Sequence, residues 1–266
     1  AQDWTLSQVK FTFSAAVHVH SVSPPLGPEY GGSLVEVSGE KFISTPDLSC
    51  RFGTGRPVAA RWLSDTKLSC RTPAHAPGYN VSVRVSINGQ QYTADAGVLF
   101  EYHRAIRVTL VEPSAGPAAG GTLLLVRGAH FSARAAALGL LSCFFQTPAD
   151  NRLIQSPAIR RSDSEVRCVS PASHPGLLRV RVSCNGADPS DDSAALEQLS
   201  VEVASLSPPM GPERGGTVLR LTGSGFHRSA CVIGNQPSFA TVVSLSLLLC
   251  TSPPSSVGYV AVEVVS

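Results

Sequence analysis

The stretch PPLGPEYGG at residues 24–32 returns twice, as PSAGPAAGG at residues 113–121 and PPMGPERGG at residues 208–216. All three fit P-x-x-G-P-x-x-G-G. Pro24, Gly27, Pro28, Gly31 and Gly32 are answered by Pro113, Gly116, Pro117, Gly120 and Gly121, and again by Pro208, Gly211, Pro212, Gly215 and Gly216. Proline fixes φ and glycine admits φ > 0, so the motif predicts a rigid bend. Self-similarity at a fixed period marks a repeat architecture. The intervals between motifs, 89 and 95 residues, are each the size of a small β-sandwich domain.

The segments after each bend repeat as well. Residues 33–39, 122–128 and 217–223 are short alternating or apolar runs ending in glycine, and they read as strands. Each leads into G-x-x-F: Gly39 to Phe42, Gly128 to Phe131 and Gly223 to Phe226. The glycine suits a turn or bulge with positive φ, and the phenylalanine a core plug beyond it. One cysteine comes next (Cys50, Cys143, Cys231), then a second within C-x-S/T-P (Cys70, Cys168, Cys250). A glycine and a further strand close the pattern, over residues 79–86, 177–183 and 259–266. In two copies Asn88-Gly89 and Asn185-Gly186 come after that strand, which predicts a type I′ hairpin. The sole helical candidate, 133–141, reads as a loop insertion, so the chain is all-β.

In this order the landmarks resemble the IPT/TIG module, an immunoglobulin-like fold of plexins, related growth-factor receptors, fibrocystin-like ciliary membrane proteins and some transcription factors. The resemblance covers nearly the whole chain. It implies tandem immunoglobulin-like β-sandwiches of E-set type. Only five residues separate Tyr102 from Val108, where the next module's first strand begins, so the expectation is a semi-rigid rod. Boundaries are expected at 17–102, 103–203 and 204–266, the last incomplete at its C-terminal side. Residues 1–16 read as the final strand of a preceding module, which makes the chain a fragment of a longer array.

Composition bounds the function. Hydrophobic residues make up 43% and charged residues 15%, enough for ordinary cores and too little charge for a solvated tail. Seven cysteines fall as three in-register pairs plus Cys184. A pair per repeat on neighbouring strands favours the disulfides Cys50–Cys70, Cys143–Cys168 and Cys231–Cys250, each closing a loop worth about 3 kcal/mol in the chain-entropy model. They point to a secretory or extracellular setting. The alternative is reduced, buried core thiols. Cys184 takes the slot of Ile87, as a buried thiol or as a bridge to another chain or to a further module. Asn80-Val-Ser82 is a glycosylation sequon, used if the chain is secreted.

Candidate chemistry is thin. His18 and His20 share one strand face but sit at a module junction, where a solvated or interface role is the better reading than metal binding. The cluster Asp188, Asp191 and Asp192 lacks the layout of a calcium loop and reads as a solvated hairpin tip. Arg152, Arg160, Arg161 and Arg167 are interleaved with Asp150, Asp163 and Glu165, and with a net charge of +2 they make a poor phosphate-binding stripe. Other arginines, Arg84, Arg179 and Arg181 among them, read as solvent-facing strand positions. No cofactor, metal, catalytic residue or nucleic-acid partner is expected. The expected partners are other proteins or further modules of the same chain, with any membrane attachment outside this fragment. The module-two insertion, 133–140 and 151–161, reads first as an ordinary tolerated loop insertion and second as the place for a partner-specific surface.

Overall fold

The structure, a computed structural model, describes residues 10–147, 151–226 and 229–265. It is almost entirely β and divides into two compact units, Ala1–Arg104 and Ala105–Ser266. Residues 10–17 carry no strand, and residues 1–9, the rest of the segment read as a preceding module's strand, lie outside the described residues.

The first unit contains β1 (His18–Ser23), β2 (Leu26–Pro28), β3 (Leu34–Glu40), β4 (Ser49–Phe52), β5 (Val58–Ser64), β6 (Lys67–Arg71), β7 (Asn80–Ser86) and β8 (Leu99–His103). They hydrogen-bond in the order β1-β3-β6-β5-β4-β7-β8-β2. The ladder folds over at β5, whose residues from Ala60 pair with β6 while Val58 and Ala59 pair with β4. Strand alternation then sends one set of side chains inward from both halves. Val35 and Val37 of β3, Leu68 of β6, Val83 of β7 and Phe100 of β8 meet in one core. Phe52 and Tyr102 pack edge-on against Phe100, with ring centroids 5.5 and 5.0 Å away. Such pairs are each worth about 1 kcal/mol beyond their buried area.

The second unit begins with β9 (Arg107–Glu112), β10 (Ala115–Pro117), β11 (Leu123–Ala129), α1 (Ala133–Ala137), β12 (Ser142–Gln146), β13 (Leu153–Arg160), β14 (Glu165–Val169), β15 (Gly176–Ser183) and β16 (Ala194–Leu199). Its ladder, β10-β16-β15-β12-β13-β14-β11-β9, repeats the first unit's order from the other end. The insertion forms the short helix α1, whose N-cap Ser132 Oγ accepts the Ala135 N–H at 3.2 Å. The unit continues with β17 (Glu202–Ser207), β18 (Val218–Ser224), β19 (Ala230–Ile233), β20 (Gln236–Ser238), β21 (Ala240–Ser244), β22 (Leu247–Thr251) and β23 (Val262–Val265). These make a sheet β17-β18-β22-β21 and a sheet β20-β19-β23. Among the described residues no helix is long and apolar enough to cross a membrane.

Two local expectations need correction. The glycines of G-x-x-F have ordinary backbone angles; positive φ falls two residues later, at Lys41, His130 and Gly225. Glycine is required at Gly39, Gly128 and Gly223 for close approach. A Cβ there would run into the carbonyl oxygen of His18, Arg107 or Glu202 and into the ring of the following phenylalanine. Each glycine lies beside a register shift between the first and second long strands, so the bulge is present without the left-handed residue. Asn88 and Asn185 do not enter a type I′ turn, because only the glycines after them have positive φ. Instead each asparagine side chain accepts two backbone N–H groups, Asn88 Oδ1 from Gln90 and Gln91 at 3.2 and 3.1 Å, and Asn185 Oδ1 from Ala187 and Asp188 at 3.1 and 2.8 Å. The connection from β7 to β8 is correspondingly long.

Candidate functional site

The repeated bend and the repeated C-x-S/T-P segment lock onto each other. In the first repeat Gly31 N–H closes the turn on Pro28 O at 2.9 Å, and Gly32 N–H reaches Thr72 O at 2.8 Å. Thr72 N–H returns to Ser33 O at 2.9 Å, and Thr72 Oγ1 accepts Ser33 N–H at 3.2 Å. Ser170 does the same for Gly121 and Thr122, and Ser252 for Gly216 and Thr217. A hydroxyl residue at this position is therefore needed to satisfy a backbone donor. Gly31, Gly120 and Gly215 have φ of 73°, 78° and 73° and lie against the backbone of Pro73, Pro171 and Pro253, where no Cβ fits. The Ser23–Pro24, Glu112–Pro113 and Ser207–Pro208 peptide bonds are cis. After this bend β2 and β10 pair in parallel with β8 and β16, whereas β1 and β9 pair with β3 and β11. The bend is thus where the first strand crosses between sheets.

The cysteine pairs span the sandwich. Cys50 on β4 joins Cys70 on β6, Cys143 on β12 joins Cys168 on β14, and Cys231 on β19 joins Cys250 on β22, with Cα atoms 6.4, 6.3 and 6.2 Å apart. The joined strands are not ladder neighbours; β5, β13 or the β20–β21 segment lies between them. Cys184 is fully buried outside any disulfide and accepts Ser132 N–H at 3.4 Å, so the insertion's helix cap rests on it. Asn80 is exposed at the start of β7, in register with Glu101. Tyr102, fully buried, stacks on His75 at 4.9 Å, and burial pushes its phenol well above the ordinary tyrosine value.

The remaining candidates do not converge. His18 and His20 are both exposed on β1, and among the described residues no group of three histidine, cysteine or acidic side chains could hold a metal ion. Asp150 lies outside the described residues. Asp188 accepts from Asn185 Nδ2 at 2.7 Å, and Asp192 sits 3.7 Å from Arg107, so these acids cap a loop and form an ion pair. Arg160 donates to Phe131 O at 2.7 Å at one end of β13, whereas Arg152 precedes its other end, about 25 Å away at strand rise. Away from α1, at the Leu153 end of β13, the second repeat has a cleft of about 900 Å³ lined by Arg152, Ile154, His174 and Leu177.

Sequence reading missed one cluster. Arg84 and Arg181 face outward but are half-buried, and register sets Arg84 directly opposite Arg51. Arg84 Nη2 donates to Gly53 O at 3.0 Å. The Arg51 guanidinium lies 3.8 Å from the ring centroid of Tyr92, whose hydroxyl is 3.1 Å from Ser49 Oγ. The only signal in the sequence was the shared Arg-Val-Ser, which says nothing of the strand it will pair with.

A family model described as the IPT/TIG domain matches residues 18–102, 107–199 and 202–266. Fibrocystin-L of Mus musculus is 27% identical over 250 residues, covering 91% of this chain and 5% of that protein. Plexin A3 of Danio rerio is 23% identical over 224 residues, covering 77% of this chain and 11% of that protein. A solved extracellular region of plexin A4 is similar over 94% of this chain and 32% of that one, at 14% identity and a TM-score of 0.45. The chain thus spans a small fraction of the length of these relatives. With three matches laid end to end over most of its residues, on a β-sandwich scaffold repeated with its own bend and disulfide, the chain belongs to the IPT/TIG domain family.

Proposed function

We propose that this chain is a non-catalytic segment of an extracellular multi-IPT surface protein, serving as a stalk, adhesion or ligand-binding array, on a ciliary surface or another cell surface. Its modules run over 17–102, 103–203 and 204–266. The observation that carries the reading is one disulfide across each sandwich. Cross-links of this kind persist in oxidising compartments and are reduced in the cytosol. The similarity to fibrocystin-L and plexins supports the same setting.

A non-reducing peptide map of the native protein, with thiols alkylated beforehand, tests it. The expected result is three linkages and one alkylated cysteine, Cys184. All seven cysteines alkylated would replace this reading with an intracellular structural scaffold. Under the same reading Asn80, exposed and within its sequon, carries an N-linked glycan. Treatment with a peptide N-glycosidase should then lower the intact mass and convert Asn80 to aspartate.

A further inference from the structure

On the outer face of the first sandwich, two like charges stand directly opposite each other. Arg51 on β4 and Arg84 on β7 are register partners, an arrangement that destabilises a sheet unless something offsets it. Among the described residues neither has a carboxylate within ion-pair distance. Their observed partners are neutral: a backbone carbonyl for Arg84 and a tyrosine ring for Arg51. Among the described residues the Nε atoms of both are buried without a hydrogen-bond partner, as is that of Arg181 in the second repeat. Each guanidinium is therefore held in place, and its terminal N–H groups, not the buried Nε, are what a partner can reach.

The other repeats show that this pair is particular to the first. In the second, Arg181 on β15 is opposite Phe144; in the third, Glu263 on β23 is opposite Val232. Only the first sets two cations side by side. The pair also stands alone. Glu101 lies on the same outer face, with Asn80 as its register partner, about 13 Å along β7 from Arg84. A long polyanion requires a stripe of cations, and here a single pair is followed on the same face by Glu101. A single carboxylate requires one fork, which two fixed guanidiniums beside an aromatic ring supply. Tyrosine and arginine in a half-buried cluster are also the residues that anchor protein interfaces.

We propose that Arg51, Arg84 and Tyr92 form a docking site for a carboxylate side chain of a partner protein. The proposal rests on the chain's being an extracellular protein-binding array and names the chemistry of the contact.

The test uses the whole oxidised chain and a fluorescently labelled hexaglutamate peptide, read by anisotropy. The arginine Nε–H resonances are followed by NMR on the same samples. The expected result is saturable binding that shifts Arg51 and Arg84, weakened about tenfold or more in Arg51→Gln and in Arg84→Gln. Arg179→Gln, an exposed arginine of the second repeat, should leave binding unchanged. If either glutamine variant fails to fold, Arg84→Lys keeps the charge but loses the fork and should weaken binding similarly. Absence of any shift at Arg51 and Arg84, or equal binding by the variants, overturns the site. A heparin hexasaccharide that binds more tightly than the peptide at equal ionic strength overturns the choice of a protein carboxylate. The peptide map of the same batch reports the disulfides separately, so failure of the docking site and failure of the extracellular reading are told apart.

Discussion

Between Cys50 and Cys70 the chain runs as one strand, β5; between Cys231 and Cys250 it runs as two, β20 and β21, broken at Phe239. Register places Ala59, Pro157 and Phe239 at one equivalent point, where the chain leaves one sheet and joins the other. The first repeat makes that passage with a small residue. The second uses a proline, which lacks the N–H that would otherwise need a ladder partner. The third uses a phenylalanine that is 80% exposed, and its hydrogen-bonded ladder ends on either side. The two sheets of a repeat can thus be joined by a continuous strand, by a cystine and by the locked bend. Where the strand is broken, the other two carry more of the connection.

The largest effect expected from this comparison comes from removing cystines. Cys50–Cys70 and Cys231–Cys250 close sequence separations of 20 and 19, so chain entropy alone predicts nearly equal losses, about 3 kcal/mol each. We expect Cys231→Ser with Cys250→Ser to abolish cooperative unfolding of the third repeat. Cys50→Ser with Cys70→Ser should only lower the first repeat's midpoint. Equal losses in calorimetry would show that the break at Phe239 contributes nothing.

Next come the close-approach glycines. Gly39→Ala and Gly223→Ala each drive a methyl into a carbonyl oxygen and a phenylalanine ring, at a cost of about 1–3 kcal/mol in denaturant titrations. A much smaller loss for Gly223→Ala would mean that the third repeat yields more easily at this bulge. Removing the stitching hydroxyl, by Ser170→Ala or Ser252→Ala, should cost about 1 kcal/mol in either repeat, since each orphans one backbone N–H. Amide exchange at Thr122 or Thr217 should quicken accordingly; unchanged exchange would place the lock elsewhere. The smallest effect is expected at the exposed Lys67–Glu36 pair of the first repeat, 2.7 Å apart. There Glu36→Gln should change stability by about 0.5 kcal/mol or less and lose even that at high salt.

How much was legible beforehand divides along one line. Period-two runs, the spaced prolines and glycines, and the paired cysteines identified an all-β repeat, because each reflects a constraint acting within a few residues: φ at Pro24 and Gly31, alternation along 34–40, a hydroxyl after each second cysteine. Errors arose where a local pattern had two physical solutions. Asn-Gly can make a two-residue hairpin or an asparagine-capped loop, and the long β7–β8 connection decides for the second. Glycine before x-x-Phe can supply positive φ or room, and the carbonyl of a preceding strand decides for room.

The sequence by itself determined the repeat, its period, its strands and its bend, all consequences of backbone geometry that any short segment carries with it. Only the tertiary structure decided what crosses between strands far apart in the chain. It set the cystines across the sandwich rather than along a sheet, fitted Thr72, Ser170 and Ser252 to the bends, and brought Arg51 opposite Arg84. Those depend on which strand pairs with which and in what register, and a shift of one residue would turn every one of those side chains to the other face.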